Sequence, residues 1–176
     1  HLALALQAVY VTPKSGSNNL MISHADGVAL DIECAPDESF LLYPERGLLV
    51  HANHWQSAVA LGKLREGGIG NSPCTLYRDF RVRQRLLARH GQLTLEDLRE
   101  AFFDDFASPW SVCRPPRLTA DGSRTASVAM LLMDPARGHL EIAPLPALNR
   151  EFTTYSLTMD RRFGADAGAG PESRLS

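Results

Sequence analysis

Four short apolar runs lie between residues 19 and 51, each closed by turn-forming residues, and together they predict an antiparallel meander. Asn19–Ser23 is the first strand, Asp26-Gly27 marks a hairpin, and Val28–Cys34 alternates with a period of two. Pro36-Asp37-Glu38-Ser39 turns the chain into Phe40–Tyr43, and Pro44-Glu45-Arg46-Gly47 leads to a fourth strand, Leu48–His51. Ahead of the meander, His1–Val11 is rich in Ala and Leu and reads as the end of a buried helix, broken at Thr12-Pro13. The period then changes. After a loop containing Gly67, Gly68 and Gly70, residues Leu76, Tyr77, Phe80 and Leu87 recur at helical spacing up to Gly91. Thr94-Leu95-Glu96-Asp97 opens a second helix with an N-cap and acidic first turn, running to Asp104 or Asp105. Strands follow at Thr125–Met133, His139–Ala143 and Phe152–Met159, the first two joined by a turn at Asp134–Gly138. Meander, helices and hairpin in that order predict an α+β domain over residues 1–160, not a doubly wound parallel sheet. The Gly- and Ala-rich residues 161–176 are expected to be a disordered tail.

Composition narrows the partners. The 176 residues are 44% hydrophobic and 22% charged, which suits one globular domain or a large piece of one. A formal net charge of −2 excludes a strongly basic nucleic-acid binder and an acidic solvating chain. No apolar stretch reaches the length of a membrane span. Cys34, Cys74 and Cys113 have no C-x-x-C spacing, so neither a zinc site nor a disulfide framework is expected. Reduced thiols in a cytoplasmic protein are the expectation, with no metal.

Candidate chemistry concentrates at His51-Ala52-Asn53-His54-Trp55. On an extended strand, His51 and Asn53 share one face and His54 points the other way, so the two histidines are poorly placed to share a metal. The cluster reads as turn and cap hydrogen bonds, or as a place where the Asn53 amide donates to a developing oxyanion. Arg124, at the entrance of a strand, is a solvated surface residue or, if buried, a partner for a carboxylate or thiolate. Asp31 and Glu33 share a strand face and are read as its wet side. Arg78, Arg81, Arg85 and Arg89 form a helical stripe, read as a solvated face with phosphate binding as the alternative.

A resemblance carries this further. Ser17–Gly27 followed by Leu30-Asp31-Ile32-Glu33, the segment Gly47–Trp55, then Ser111-Val112-Cys113-Arg114 and Thr125-Ala126-Ser127-Val128 resemble, in order and spacing, the isopenicillin-N acyltransferase family of cysteine peptidases. The match covers roughly residues 15–160. It implies part of a four-layer αββα N-terminal-nucleophile hydrolase sandwich with antiparallel sheets. It also implies a self-cleaving precursor whose new N-terminal Cys passes an acyl group, from an amide or acyl-coenzyme A thioester, to water or an amine. Asn53 matches the oxyanion donor and Arg124 a catalytic arginine, with His51, His54 and Trp55 around the substrate. No cofactor is implied. The family nucleophile has no counterpart here: Cys34 lies in a hairpin strand, Cys74 follows Pro73, and Cys113 matches a non-catalytic cysteine. The chain is therefore expected to be the C-terminal portion of such an enzyme, with the N-terminal half of the same protein as partner and apolar faces left uncovered. The alternative is a non-catalytic binding or assembly domain of the same ancestry.

Overall fold

The computed structural model describes residues 2–119 and 122–158; the expected tail, residues 161–176, and the end of the expected last strand lie outside the described residues. Strand β1 (Asn18–Ser23) pairs antiparallel with β2 (Ala29–Cys34), and β3 (Ser39–Leu42) pairs along the other edge of β2. The Asp26-Gly27 hairpin forms as expected: the His24 amide donates to the Val28 carbonyl at 2.8 Å, and Gly27 takes φ +82°, which a glycine adopts without strain.

The central position of β2 decides what its alternation means. Leu30, Ile32 and Cys34 face helix α1 (Leu2–Val11), where Leu2, Leu6 and Val9 pack against them. Asp31 and Glu33 face the other way, yet they are 0% and 1% exposed. The expectation of a wet face is thus overturned: a second layer covers it. The helix at α1 is present, but none of its ten residues is buried, because only one stripe meets the sheet and Leu4 and Val11 face outwards.

The fourth meander strand is absent. Glu45 and Leu48 form an isolated bridge, and from there the backbone bonds to side chains instead of a ladder. The Val50 carbonyl accepts from Gln56 Nε2 at 3.1 Å and from an Arg83 guanidinium nitrogen at 3.0 Å. A backbone group satisfied by side chains needs no neighbouring strand.

Two helices unforeseen from the sequence follow, α2 (Ala58–Lys63) and α3 (Gly68–Asn71). The α3 turn forms in a glycine-rich segment because Glu66 Oε1 accepts from the amides of Gly68 and Ile69, satisfying N–H groups of its first turn. Helix α4 (Cys74–Leu87) and helix α5 (Leu95–Phe102) pack through Val82, Leu86 and Ala101 onto Leu48 and Val50. Thr94 and Asp97 close a reciprocal capping box on α5. This helix stops short of the expected Asp104, whose side chain turns to Arg81 and Arg85 and whose carbonyl accepts from Cys113 N at 2.9 Å.

Strands β4 (Arg117–Leu118) and β5 (Arg124–Thr125) make a two-stranded ribbon. The expected strand 125–133 is interrupted after Thr125, since Ser127 bonds through both its amide and its hydroxyl to Arg114. Pairing resumes with β6 (Ala129–Asp134), β7 (His139–Pro144) and β8 (Thr153–Ser156), in that sheet order. Met130 and Ala143 join Phe103, Cys113 and Phe152 in a core beneath α5. The fold is α+β, with three small antiparallel sheets among the described residues. Among the described residues no helix is long and apolar enough to cross a membrane.

Candidate functional site

Residues 50–57 cross the covered face of β2, and residues 51–55 line a cleft of about 280 Å³ with Asn19, Glu33 and the loop 65–68. Glu33 anchors this crossing. Its Oε1 accepts from the Gln56 amide at 2.5 Å and faces His51 Nε2 at 2.7 Å, while Oε2 accepts from the Ser57 amide at 3.1 Å. The other His51 nitrogen, Nδ1, lies 2.7 Å from the Ala52 carbonyl, which can only accept, so Nδ1 carries a proton. Nε2 then shares its proton with the Glu33 carboxylate. Asp31 Oδ2 lies 3.7 Å from the same Nε2 and has no hydrogen-bond partner among the described residues; Oδ1 accepts from Asn19. Burial pushes the Asp31 carboxyl above its ordinary pKa.

Helix α4 holds the other end. The buried Thr75 hydroxyl accepts from Asn53 N at 2.7 Å and lies 3.1 Å from His54 Nδ1. Burial lowers the His54 pKa and favours the neutral ring. The rings of His51 and His54 stack with centroids 6.3 Å apart and planes 20° apart. This corrects the expectation that they point to opposite sides, because the segment bends there instead of running as a strand. Among the described residues no group of three or more His, Cys, Asp or Glu side chains is placed to hold a metal ion.

Asn53 itself is exposed and lines the cleft. Its Oδ1 accepts from an Arg78 guanidinium nitrogen at 2.8 Å, and its Nδ2 has no protein partner among the described residues. Trp55 stands edge-on to Phe40, centroids 6.1 Å apart, and its amide donates to Glu66 Oε2 at 2.9 Å. That bond, with those from Gly68 and Ile69, holds the Glu66 carboxyl below the usual range. Gly68 sits close enough that a Cβ there would come within 3.4 Å of the Asn53 carbonyl.

The structure brings His51, Asn53, His54 and Trp55 together but leaves Arg124 exposed on β5, with no hydrogen bond or ion pair to Asn53 among the described residues. The arginine that touches Asn53 is Arg78, read from the sequence as part of a solvated stripe. All four members of that stripe are paired: Arg81 and Arg85 both reach the buried Asp104 carboxylate, and Arg89 lies 3.5 Å from Asp97. Sequence reasoning also passed over Thr75 and Glu66. Thr75 and Arg78 are three residues apart on α4, so they share a face, and that spacing was visible.

Cys74 opens α4 beside the same arginine. Burial works against its thiolate, but the Ser72 hydroxyl and the Arg78 and Arg114 guanidinium groups outweigh that and lower its pKa. Cys113 is buried, and burial raises its thiol. Iodoacetamide at neutral pH is therefore expected to label Cys74 first of the three cysteines of this chain, at least about tenfold faster than Cys113. Peptide mapping by mass spectrometry measures this, and earlier labelling of Cys113 would contradict it.

Compared with known proteins, the chain matches no family model and no curated protein sequence.

Proposed function

We propose that this chain forms the oxyanion-binding portion of an N-terminal-nucleophile cysteine amidohydrolase or acyltransferase similar to the isopenicillin-N acyltransferases. One observation carries the reading: Asn53 is held at its backbone by Thr75 and at its amide oxygen by Arg78, which leaves its NH₂ group, at the edge of the cleft, without a partner among the described residues. A carboxamide donor fixed before the reaction stabilises charge that develops only in the transition state. In this reading a thiolate, supplied by an upstream segment of the same protein, attacks the carbonyl carbon of an amide or acyl-coenzyme A thioester. The S–C bond forms, the carbonyl oxygen takes the negative charge and accepts from Asn53 Nδ2, and collapse breaks the C–N or C–S bond, the leaving amine or thiolate taking a proton from the α-ammonium group of the N-terminal Cys. Water or an amine then attacks the acyl-Cys thioester, gives its proton to that α-amine and releases the acyl product and the thiolate. His51, His54 and Trp55 shape the acyl pocket, whose volume suits a small molecule.

Two further features support a partner half and a completed αββα sandwich. Alternate residues of β6, Leu131 and Met133, are 48% and 58% exposed, an apolar face that a finished sheet packing would cover. No residue of α1 is buried, although the helix is almost wholly apolar. The three free thiols fit a cytoplasmic setting.

The test is mass spectrometry of the full-length protein after incubation with acyl-coenzyme A thioesters and with small amides. The expected result is a mass increase equal to one acyl group on an N-terminal Cys, together with product release. Absence of both adduct and turnover across thioester and amide panels would overturn the reading and leave a binding or assembly domain.

A further inference from the structure

We infer that Arg78 is the positioning residue that locks the Asn53 amide in the one orientation able to donate into the cleft. This rests on the reading of Asn53 as an oxyanion donor. A carboxamide has two faces of opposite character, and a 180° turn about its terminal bond exchanges oxygen for NH₂. A flipped Asn53 would present an acceptor to the substrate oxygen and repel it. Guanidinium nitrogens only donate, so the Asn53 atom 2.8 Å from Arg78 must be its oxygen. The flip is thereby decided by chemistry, and Nδ2 is left for the cleft.

Helix α4 supplies both halves of the grip. Thr75 takes the Asn53 main-chain N–H at 2.7 Å, and Arg78, one turn later on the same face, takes the side-chain oxygen. Two fixed points on one residue, both from a rigid 14-residue helix, define the backbone position and the amide plane together. The Arg78 Nε is buried without a hydrogen-bond partner among the described residues. Its guanidinium therefore does not sit where its own hydrogen bonding is most complete, which is what a side chain recruited to hold another group would show. Arg78 also borders the Cys74 thiol, so the grip stands between α4 and the cleft wall.

Arg78→Met, which keeps the apolar stem and removes the donors, tests this in the full-length protein. Turnover of an acyl-coenzyme A thioester is expected to fall about 10–10²-fold in kcat, with KM and melting temperature nearly unchanged. Arg78→Lys, with one donor retained, is expected to recover part of the rate. The double variant Arg78→Met/Asn53→Ala is expected to be no slower than Asn53→Ala alone, since the two residues act as one donor. A readout independent of activity is ¹⁵N relaxation of the Asn53 side-chain NH₂. Its order parameter should lie in the rigid range in the parent and fall below about 0.6 in Arg78→Met, or in Arg78→Lys if the methionine variant does not fold. If Asn53→Ala loses turnover while the Arg78 variants keep both rate and a rigid amide, Arg78 is not the positioning residue and the function stands. If Asn53→Ala leaves turnover intact, the oxyanion reading fails. A rigid Asn53 amide without Arg78 would overturn the present inference whatever the activity.

Discussion

Asn53→Ala in the full-length protein is expected to lower kcat for acyl transfer roughly 10²–10³-fold while KM changes little. The reasoning is differential. The Asn53 NH₂ has no partner among the described residues and, in this reading, meets the substrate oxygen most strongly when that oxygen is charged, so its removal raises the barrier more than it weakens binding. Stability should move by only about 1 kcal/mol, because the Thr75 bond to the main-chain amide survives the substitution. Asn53→Asp sharpens the comparison. A carboxylate keeps the acceptor that Arg78 needs and turns that contact into an ion pair, so the fold is preserved. It also places a negative charge beside the developing oxyanion and offers no donor. A variant that is at least as stable as the parent yet slower than Asn53→Ala would separate catalysis from scaffold. Near-parental turnover in either variant would remove Asn53 from the mechanism.

Glu33→Ala is expected to cost about 3–5 kcal/mol, a large part of the roughly 5–15 kcal/mol that holds a domain together. The carboxylate is 1% exposed and accepts from the amides of Gln56 and Ser57 while sharing a proton with His51. Truncation strands the Gln56 and Ser57 main-chain donors and leaves His51 Nε2 only the buried Asp31 oxygen, 3.7 Å away. Glu33→Gln keeps the volume and one acceptor but aims an NH₂ group at donors, so a smaller loss of about 2 kcal/mol follows. Urea unfolding of both variants measures the difference. An unchanged midpoint in Glu33→Ala would mean that Asp79, Arg83, Thr75, Glu66 and Arg78 hold the crossing segment 50–57 without Glu33. Loss of this anchor should also cost activity, since Asn53 rides on the segment that Glu33 ties down.

Local chemistry was legible wherever the signal and its partner lie within a few residues. Asp26-Gly27 closes the β1–β2 hairpin, Thr94 and Asp97 cap α5, and Asp134–Gly138 turns β6 into β7, each as the sequence predicts. The strand-period alternation of β2 correctly sorts Leu30, Ile32 and Cys34 from Asp31 and Glu33. It could not say that both faces are covered, because a period of two tells which residues share a face and nothing of what lies against it. The cluster from His51 to Trp55 was found by its composition, and its internal geometry was not: the strand expected at Leu48–His51 gives way to a crossing held by side chains. The bonds from Glu33 and Arg83 that hold it join residues 18 to 33 positions apart, and no local pattern records them. The sequence by itself thus determined the hairpins, the helices α4 and α5, and Asn53 as a candidate donor. Only the tertiary structure decided which way that amide faces, because its orientation is set by Arg78, 25 residues away on a helix that packs across it.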